Sequence, residues 1–549
     1  MFFFCNGAMA QEEIKEQPYA EYTFGDCTLT FYYGVKPEPS DQSVAFDIVT
    51  GVEYDSWCKY AHLVRSVRFD QSFASIRLTS LNNLFAYFYR LESIDFRNLN
   101  TSKVTGMHAM FRYCKKLRTL NLKNFDTSNV VDMSEMFRWC GALESVNVSD
   151  FNTSKVINMS RMFYGCVALK TLNISSFNTS KVTDMSEMFR GCIVLEGLDV
   201  SHFRTSNVVD MSGMFHDCNA LQELNVSNFN TGNVTDMSQM FGFCVNLQTL
   251  DVTKFSTANV TDMSQMFCNC SNLDTLDVSN FNTGEVTSMG GMFDGCVGLQ
   301  TLDVSNFNTD RVVHMEGMFF GCSSLDTLDL SSFNTENVYS MSEMFSGCTG
   351  LKTIYVGDGF KTTSVGLSTG MFCGNDSLVG AVRFSADNAN DATFANYKNG
   401  YFCFYYLIGG RKYPVVGDPL AVDSFYLEDG KDFAAPREFT AARAYYSRPV
   451  NQKWGTLCLP YAFDASNNPT AYFYQIEKIS DDQLCLKRIE GIVEAGVPVI
   501  VCAKNNQGKI EVRAANVCVI PEPQNSIEND YNLVGLFVTG VVPNSSYVI

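Results

Sequence analysis

Histidine is scarce in this chain: His62, His108, His202, His216 and His314 are all it has in 549 residues. None follows residue 314, which excludes a Ser-His-Asp or Cys-His nucleophilic arrangement confined to the C-terminal part. There is no P-loop, no nucleotide-binding glycine motif and no HExxH pair, so the spacings used for phosphate and catalytic zinc chemistry are missing. No apolar run reaches eighteen residues, and no segment therefore reads as a membrane-spanning helix. Positive charge is also short. Lys and Arg number 40 against 59 Asp and Glu, a formal net charge of −19. Nucleic acid phosphates would be repelled, as would a bare anionic membrane surface. The shortage is uneven. Between 205 and 310 Lys254 is the one basic residue against twelve acidic ones, whereas residues 101–204 hold thirteen basic and nine acidic. A mildly basic front followed by an acidic stretch can steer charged partners, an effect that salt would screen.

What the chain has in abundance is repetition. Met-Phe recurs at Met110-Phe111, Met136-Phe137 and Met162-Phe163, and every 26 residues thereafter to Met344-Phe345. A further copy, Met371-Phe372, comes one residue late, and a degenerate one, Leu84-Phe85, precedes the series by 26. Twelve copies at a near-fixed period predict a stack in which each unit buries its apolar side against the next. In the copy LQELNVSNFNTGNVTDMSQMFGFCVN, Leu224 and Val226 alternate as a very short strand would. Val234, Met237, Met240, Phe241, Cys244 and Leu247 follow at intervals of three, three, one, three and three, which predicts a short helix or 3₁₀ turn with one buried stripe. The expected fold class is thus an α/β repeat solenoid of leucine-rich-repeat type, one short parallel strand plus one short helix per 26-residue coil. A β-sandwich-like C-terminal domain is expected after it.

The stretch MFxxCxxLxxLDVSxFNTSxVTDMS resembles the 26-residue repeat of BspA-like leucine-rich-repeat surface proteins over about residues 60–385. That resemblance implies a solenoid secreted or displayed on a bacterial cell surface, with roles in adhesion to host matrix proteins, host cells or other bacteria. No catalytic residue comes with it. The segment NQKWGTLCLPYAF around Trp454 resembles a C-terminal β-rich segment of surface proteins from Bacteroides and Prevotella relatives, again without an activity.

The organisation expected along the chain has five parts. Residues 1–10 read as the remnant of a secretory signal, with Ala8-Met9-Ala10 as a small-x-small cleavage site before Gln11; the alternatives are lipidation of Cys5 or neither processing event. Residues 11–58 are a β-rich N-terminal cap, 59–385 the repeat array of about twelve coils, and 386–420 a C-terminal cap or linker. Residues 421–549 form a β-rich domain of alternating strands such as AYFYQIEKI and VPVIVCA, and Tyr547-Val548-Ile549 reads as a strand still in progress.

Ten of the twenty cysteines, Cys114 to Cys348, keep the 26-residue period. Distance alone would allow disulfides between neighbouring coils and metal is a further option, but their apolar, inward positions favour free thiols packing as small hydrophobes. Cys268-x-Cys270 has no histidine near it in sequence, which disfavours zinc, and a bridge between Cys27 and Cys58 is conceivable in an oxidising compartment. Asp132, Asp184, Asp210, Asp236 and Asp262 form a periodic acidic column that suits helix starts, with calcium as the competing reading. His202 and His216 replace variable residues and read as solvated.

Two sets of residues are candidates for contact with a partner. Thr249, Thr275, Thr301 and Thr327, with Asp251, Asp277, Asp303 and Asp329, should point outward from the strand face as a flat, small, polar surface suited to a periodic polymer. Trp139, Tyr164, Phe243 and Phe320 lie at the freer positions after Met-Phe and are candidate aromatic contacts. The expected function is non-catalytic binding of host or bacterial macromolecules, protein or glycan. No nucleic acid, no cofactor and no metal are expected. The alternative is a structural rod that presents the C-terminal β-domain.

Overall fold

The computed structural model describes residues 15–48, 56–408, 411–417, 420–428, 433, 435, 438–450, 454–480, 483–505 and 508–521. The signal remnant, Cys5 and the C-terminal strand in progress lie outside the described residues. The chain divides into two compact units, one holding residues up to 326 together with 337–350 and 364–375, the other the remainder.

In the first unit, strands β1 (Gln17–Thr23), β2 (Thr28–Gly34) and β3 (Ser43–Asp47) pair antiparallel around central β1. The other edge of β2 pairs in parallel with β4 (Ser66–Phe69), and β4 with β5 (Ser93–Asp95). The N-terminal segment therefore joins the first repeats in one sheet. Phe31, fully buried, packs on Trp57 at 5.6 Å, Phe69 at 4.7 Å and Phe85 at 6.3 Å, which closes the open end of the repeat core with aromatic area.

The repeats that follow are not the expected α/β coils. Among the described residues the only helical segments are three short 3₁₀ turns, Ser56–Tyr60, Gln71–Ser75 and Ala392–Phe394. The segment expected to be helical is instead a series of β-turns. In one repeat, Met240, Gly242, Cys244 and Leu247 donate their amides to Met237, Gln239, Phe241 and Cys244 carbonyls, three residues back, at 3.0–3.2 Å. The intervening amides of Met237, Gln239, Phe241 and Phe243 donate to Asp262, Ser264, Met266 and Cys268 in the next repeat. A helix would consume all of these amides internally; here every other one ties a repeat to its neighbour. The device that prevents helix is a left-handed residue at two places per repeat: Glu135 (φ 56) and Trp139 (φ 60), then Arg161 and Gly165, Glu187 and Gly191, Gly213 and Asp217, Gln239 and Phe243. Positive φ at the third residue of a turn makes it type II. Spacing of i, i+3 thus arose from β-turns closed by bonds three residues back, a period that overlaps the helical one.

The strand half is equally brief. Only β6 (Thr119–Asn121) with β7 (Ser145–Asn147) makes a ladder in the repeats of the first unit after β5, and β8 (Thr327–Leu330) with β9 (Thr353–Val356) in the second. Elsewhere in that half single parallel bridges remain, Thr171 with Gly197 and Glu223 with Thr249, while a separate line of bridges on the turn side runs Ser80, Gly106, Asp132, Asn158, Asp184 and onward to Leu367. The cause is local. Asn225 or Asp251, one residue past the buried leucine, accepts the amide two residues on at 3.1 or 3.0 Å, and this Asx turn carries the chain away before a longer strand forms.

The core is the part that the repeat pattern specifies. Every Val, Met, Phe, Cys and first Leu of the series from Val104 to Cys348 is inaccessible. Phe111 to Phe372 stack in one column with centroids 5.2–5.9 Å apart. A second column, of threonine, closes the turn before each valine. Thr153, Thr179, Thr205, Thr231 and Thr257 are at most 1% exposed, and each hydroxyl both donates to the carbonyl and accepts from the amide of the residue 25 further on.

In the second unit the expected sandwich gives way to several small sheets. These are β10 (Phe404–Ile408) with β11 (Arg411–Val415), and β12 (Ala421–Glu428), β13 (Phe439–Pro449) and β20 (Lys509–Val519) in the order β12-β13-β20. A four-stranded sheet has the order β14-β19-β16-β17, from Trp454–Leu457, Val499–Ala503, Ala471–Ser480 and Gln483–Arg488, and β15 (Phe463–Asp464) pairs β18 (Ile492–Val493). Val415, Phe425, Tyr461, Val501 and Val512 are among the residues of one shared core.

Candidate binding surface

The extended segment of this repeat points Leu250 and Val252 inward, so Thr249 and Asp251, on either side of Leu250, face solvent, as do Thr275, Asp277, Thr301 and Asp303. Thr249, Asp251, Thr275 and Asp277 line one shallow groove of about 590 Å³ with Glu223 and Asn225 of the preceding repeat. Thr327 and Asp329 belong to the second unit, on β8, Thr327 exposed and Asp329 half-buried.

The carboxylates of this face are held, not free. Asp251 accepts from the Thr253 amide at 3.0 Å and hydroxyl at 2.6 Å, and Asp277 accepts from the Ser279 amide at 2.9 Å. Hydroxyl and amide donors at the second residue on hold Asp199, Asp251 and Asp277 below the usual carboxylate range. They present fixed negative charge with known orientation. The same position is Asn121, Asn147, Asn173 and Asn225 in other repeats, where the Asx turn is kept without the charge. The position is thus mostly amide up to Asn225, with Asp95 and Asp199 as exceptions, and carboxylate at Asp251, Asp277 and Asp303.

The turn side carries the aromatics. Trp139, 36% exposed, meets half-buried Tyr164 edge-on at 5.3 Å. Sequence reading missed their continuation: Tyr87, Tyr113 and Trp139 occupy one position in successive repeats and stack at 5.3 and 6.3 Å. The signal was available, since each lies two residues after its Met-Phe or Leu-Phe. Phe243 is 37% exposed and covers His216 at 5.3 Å. His216 is thus not solvated as expected: it is 6% exposed, Nδ1 lies 3.1 Å from Asp217 Oδ2, and burial pushes its pKa down. His202 is half-buried, with Nε2 3.0 Å from the Ile174 carbonyl. Phe320 is 37% exposed.

Asp132, Asp184, Asp210, Asp236 and Asp262 start turns, not helices; each accepts the amide of the serine two residues on at 2.8–2.9 Å. Asp210 is raised by burial and by its stacked neighbours Asp236 and Asp184. Among the described residues no group of three or more His, Cys, Asp or Glu is placed to hold a metal ion. The periodic cysteines are buried free thiols, each donating to the phenylalanine carbonyl 29 residues back, as Cys140 does to Phe111 at 3.0 Å. Burial pushes Cys140 and Cys192 up to about 12. Cys27 is also free. No helix among the described residues is long and apolar enough to cross a membrane.

The family described as "Mycoplasma protein of unknown function, DUF285" matches residues 79–196, 169–275, 242–356 and 270–383, overlapping stretches that cover more than half of the chain. Among solved structures, a leucine rich cell surface protein from Faecalibacterium prausnitzii A2-165 is similar at 18% identity and a TM-score of 0.34, over 62% of this chain and 93% of that one. Comparison with curated proteins gives no match.

Proposed function

The chain belongs to the DUF285 family of repeats, and from that premise we propose that it is a non-catalytic binding protein, secreted or displayed on a bacterial cell surface, whose repeat array engages host or bacterial macromolecules. The observation that carries this reading is the strand face. Thr249, Asp251, Thr275 and Asp277 line one open groove, and Thr301 and Asp303 extend the exposed pattern into the next repeat. Glu223 and Thr249 face each other across a parallel bridge, and Asp236, Asp262 and Ser288 bridge successive repeats on the turn side, so the donors and acceptors recur from repeat to repeat and suit a partner that is itself periodic, an extended protein chain or a glycan. Asp251 and Asp277 are fixed by their own turns and pay little further ordering cost on binding. Surface display draws support from the resemblance of the repeat to that of BspA-like surface proteins.

The test is saturable binding of the whole chain to an array of matrix proteins and glycans, beside a variant carrying Thr249→Arg, Thr275→Arg and Thr301→Arg. All three positions are exposed, so the fold is expected to survive, and circular dichroism checks this. Loss of binding in the variant supports the proposal; equal binding by both proteins, or none by the parent, overturns it.

A further inference from the structure

We infer that the aromatic and cationic ridge on the first repeats is a docking surface for an acidic polypeptide segment. This rests on the reading of the array as a binding surface and adds a second contact region and the chemistry of its partner. Tyr87, Tyr113 and Trp139 form a stack along the array, Tyr89 sits edge-on to Tyr87 at 6.1 Å and to Tyr113 at 6.3 Å, and Tyr164 is edge-on to Trp139. Cations lie over these rings: Arg112 over Tyr87 at 4.9 Å, Lys115 over Tyr89 at 5.4 Å and over Tyr113 at 5.6 Å, and Arg138 over Tyr164 at 5.1 Å. Glu135 is shared by Arg112 and Arg138 at 2.8 and 2.7 Å, so one carboxylate answers two guanidinium groups. Lys115, which lies over Tyr89 and Tyr113, is exposed and makes no ion pair among the described residues, and its sequence neighbour Lys116 and Arg90, next to Tyr89 in sequence, are exposed as well. The ridge thus concentrates surplus positive charge on a chain whose formal net charge is −19.

The partner's chemistry follows from geometry. Because Tyr87, Tyr113 and Trp139 stack on one another, with Gly165 against the Trp139 ring, their faces are largely taken and a partner is left the ring edges. A sugar ring needs an open face, whereas an aromatic edge is the positive part of the ring quadrupole. Edges and cations together favour carboxylate oxygens. Tyr, Trp and Arg, here with Trp139 and Tyr89 exposed and Tyr87, Tyr113, Arg112 and Arg138 half-buried, are also the residues that dominate protein–protein hot spots. The ridge is confined to the first repeats, for the position of Trp139 is taken by Gly165 and Gly191 in the next two.

Those glycines supply the test. Tyr113→Gly and Trp139→Gly place at these left-handed positions the residue that the array already uses there, so the turns are kept. Lys115→Glu reverses the charge. Binding of labelled poly-L-glutamate to the whole chain is measured by fluorescence anisotropy, with heparin as the glycan arm and sedimentation as the self-association arm. The parent is expected to bind poly-L-glutamate, more weakly as salt rises, with at least about tenfold loss in the double glycine variant and in Lys115→Glu. The strand-face arginine variant should bind it like the parent. Three results would overturn the inference: no binding by the parent, heparin bound through the ridge in place of poly-L-glutamate, or ridge-dependent self-association. If the parent binds the matrix and glycan array but not poly-L-glutamate, this inference fails alone; if it binds neither, the proposed function fails with it.

Discussion

Thr231→Val puts the threonine column to a direct test. Thr231 is 1% exposed, and its hydroxyl donates to the Ser256 carbonyl at 2.9 Å and accepts from the Ser256 amide at 2.8 Å. Valine has nearly the same shape, so little is lost in packing. What goes is a pair of hydrogen bonds, each contributing about 0.5–1.5 kcal/mol net, which gives a cost of roughly 1–3 kcal/mol. Thr231→Ser keeps the hydroxyl and removes one buried methyl, a cost near 0.8 kcal/mol. Valine should therefore be the more damaging change although it preserves volume. The assay is urea unfolding followed by circular dichroism, comparing midpoints at equal slope. Adding Thr153→Val, three repeats away and sharing no partner, should double the effect. A valine variant as stable as the parent would refute the reasoning, because it would mean that the column fills space and does not bond.

Gly347→Ala should cost about 1–2 kcal/mol by the same assay: its φ is +73, and a Cβ would meet only Gly321 at ordinary contact distance, so backbone conformation alone is at stake. Asp210→Asn should raise the melting temperature at neutral pH. Burial raises the folded carboxyl, so a penalty for ionisation sets in as pH rises through the unfolded value and is complete above the folded one; melting curves of the two proteins should converge at low pH. Asn158, at the same place in another repeat, already shows that the turn accepts an amide, since it takes the Ser160 amide at 2.9 Å. Native protein treated with iodoacetamide near pH 8 should leave Cys140 and Cys192 unmodified by mass spectrometry, and both should react after denaturation, since burial holds them near 12.

The core was legible in the sequence because a 26-residue period exposes inward positions directly: Met133, Phe137, Cys140 and Leu143 recur with their neighbours and are inaccessible. The outward set was legible for the same reason, Thr249 and Asp251 alternating with Leu250 and Val252. Secondary structure was not. Successive β-turns and a helix stripe share the i, i+3 spacing, and the distinguishing left-handed residues were hidden because several are Glu, Gln, Trp and Phe where glycine would have announced them. Their strain, of order 1–3 kcal/mol each, is held by bonds to the neighbouring repeats that no single copy reveals. His216 misled for a related reason, since its cover, Phe243, comes from the following repeat. Tyr87 and Tyr113 went unnamed in the sequence because only stacking joins them to Trp139.

The measurement that bears most directly on the account is the affinity of the whole chain and of its Thr249→Arg, Thr275→Arg, Thr301→Arg variant for whichever matrix protein or glycan the parent binds best. The account predicts a loss of at least about tenfold with an unchanged circular dichroism spectrum. Equal affinity in the two proteins would show that the strand face is a solvated surface and that binding, where it occurs, belongs elsewhere.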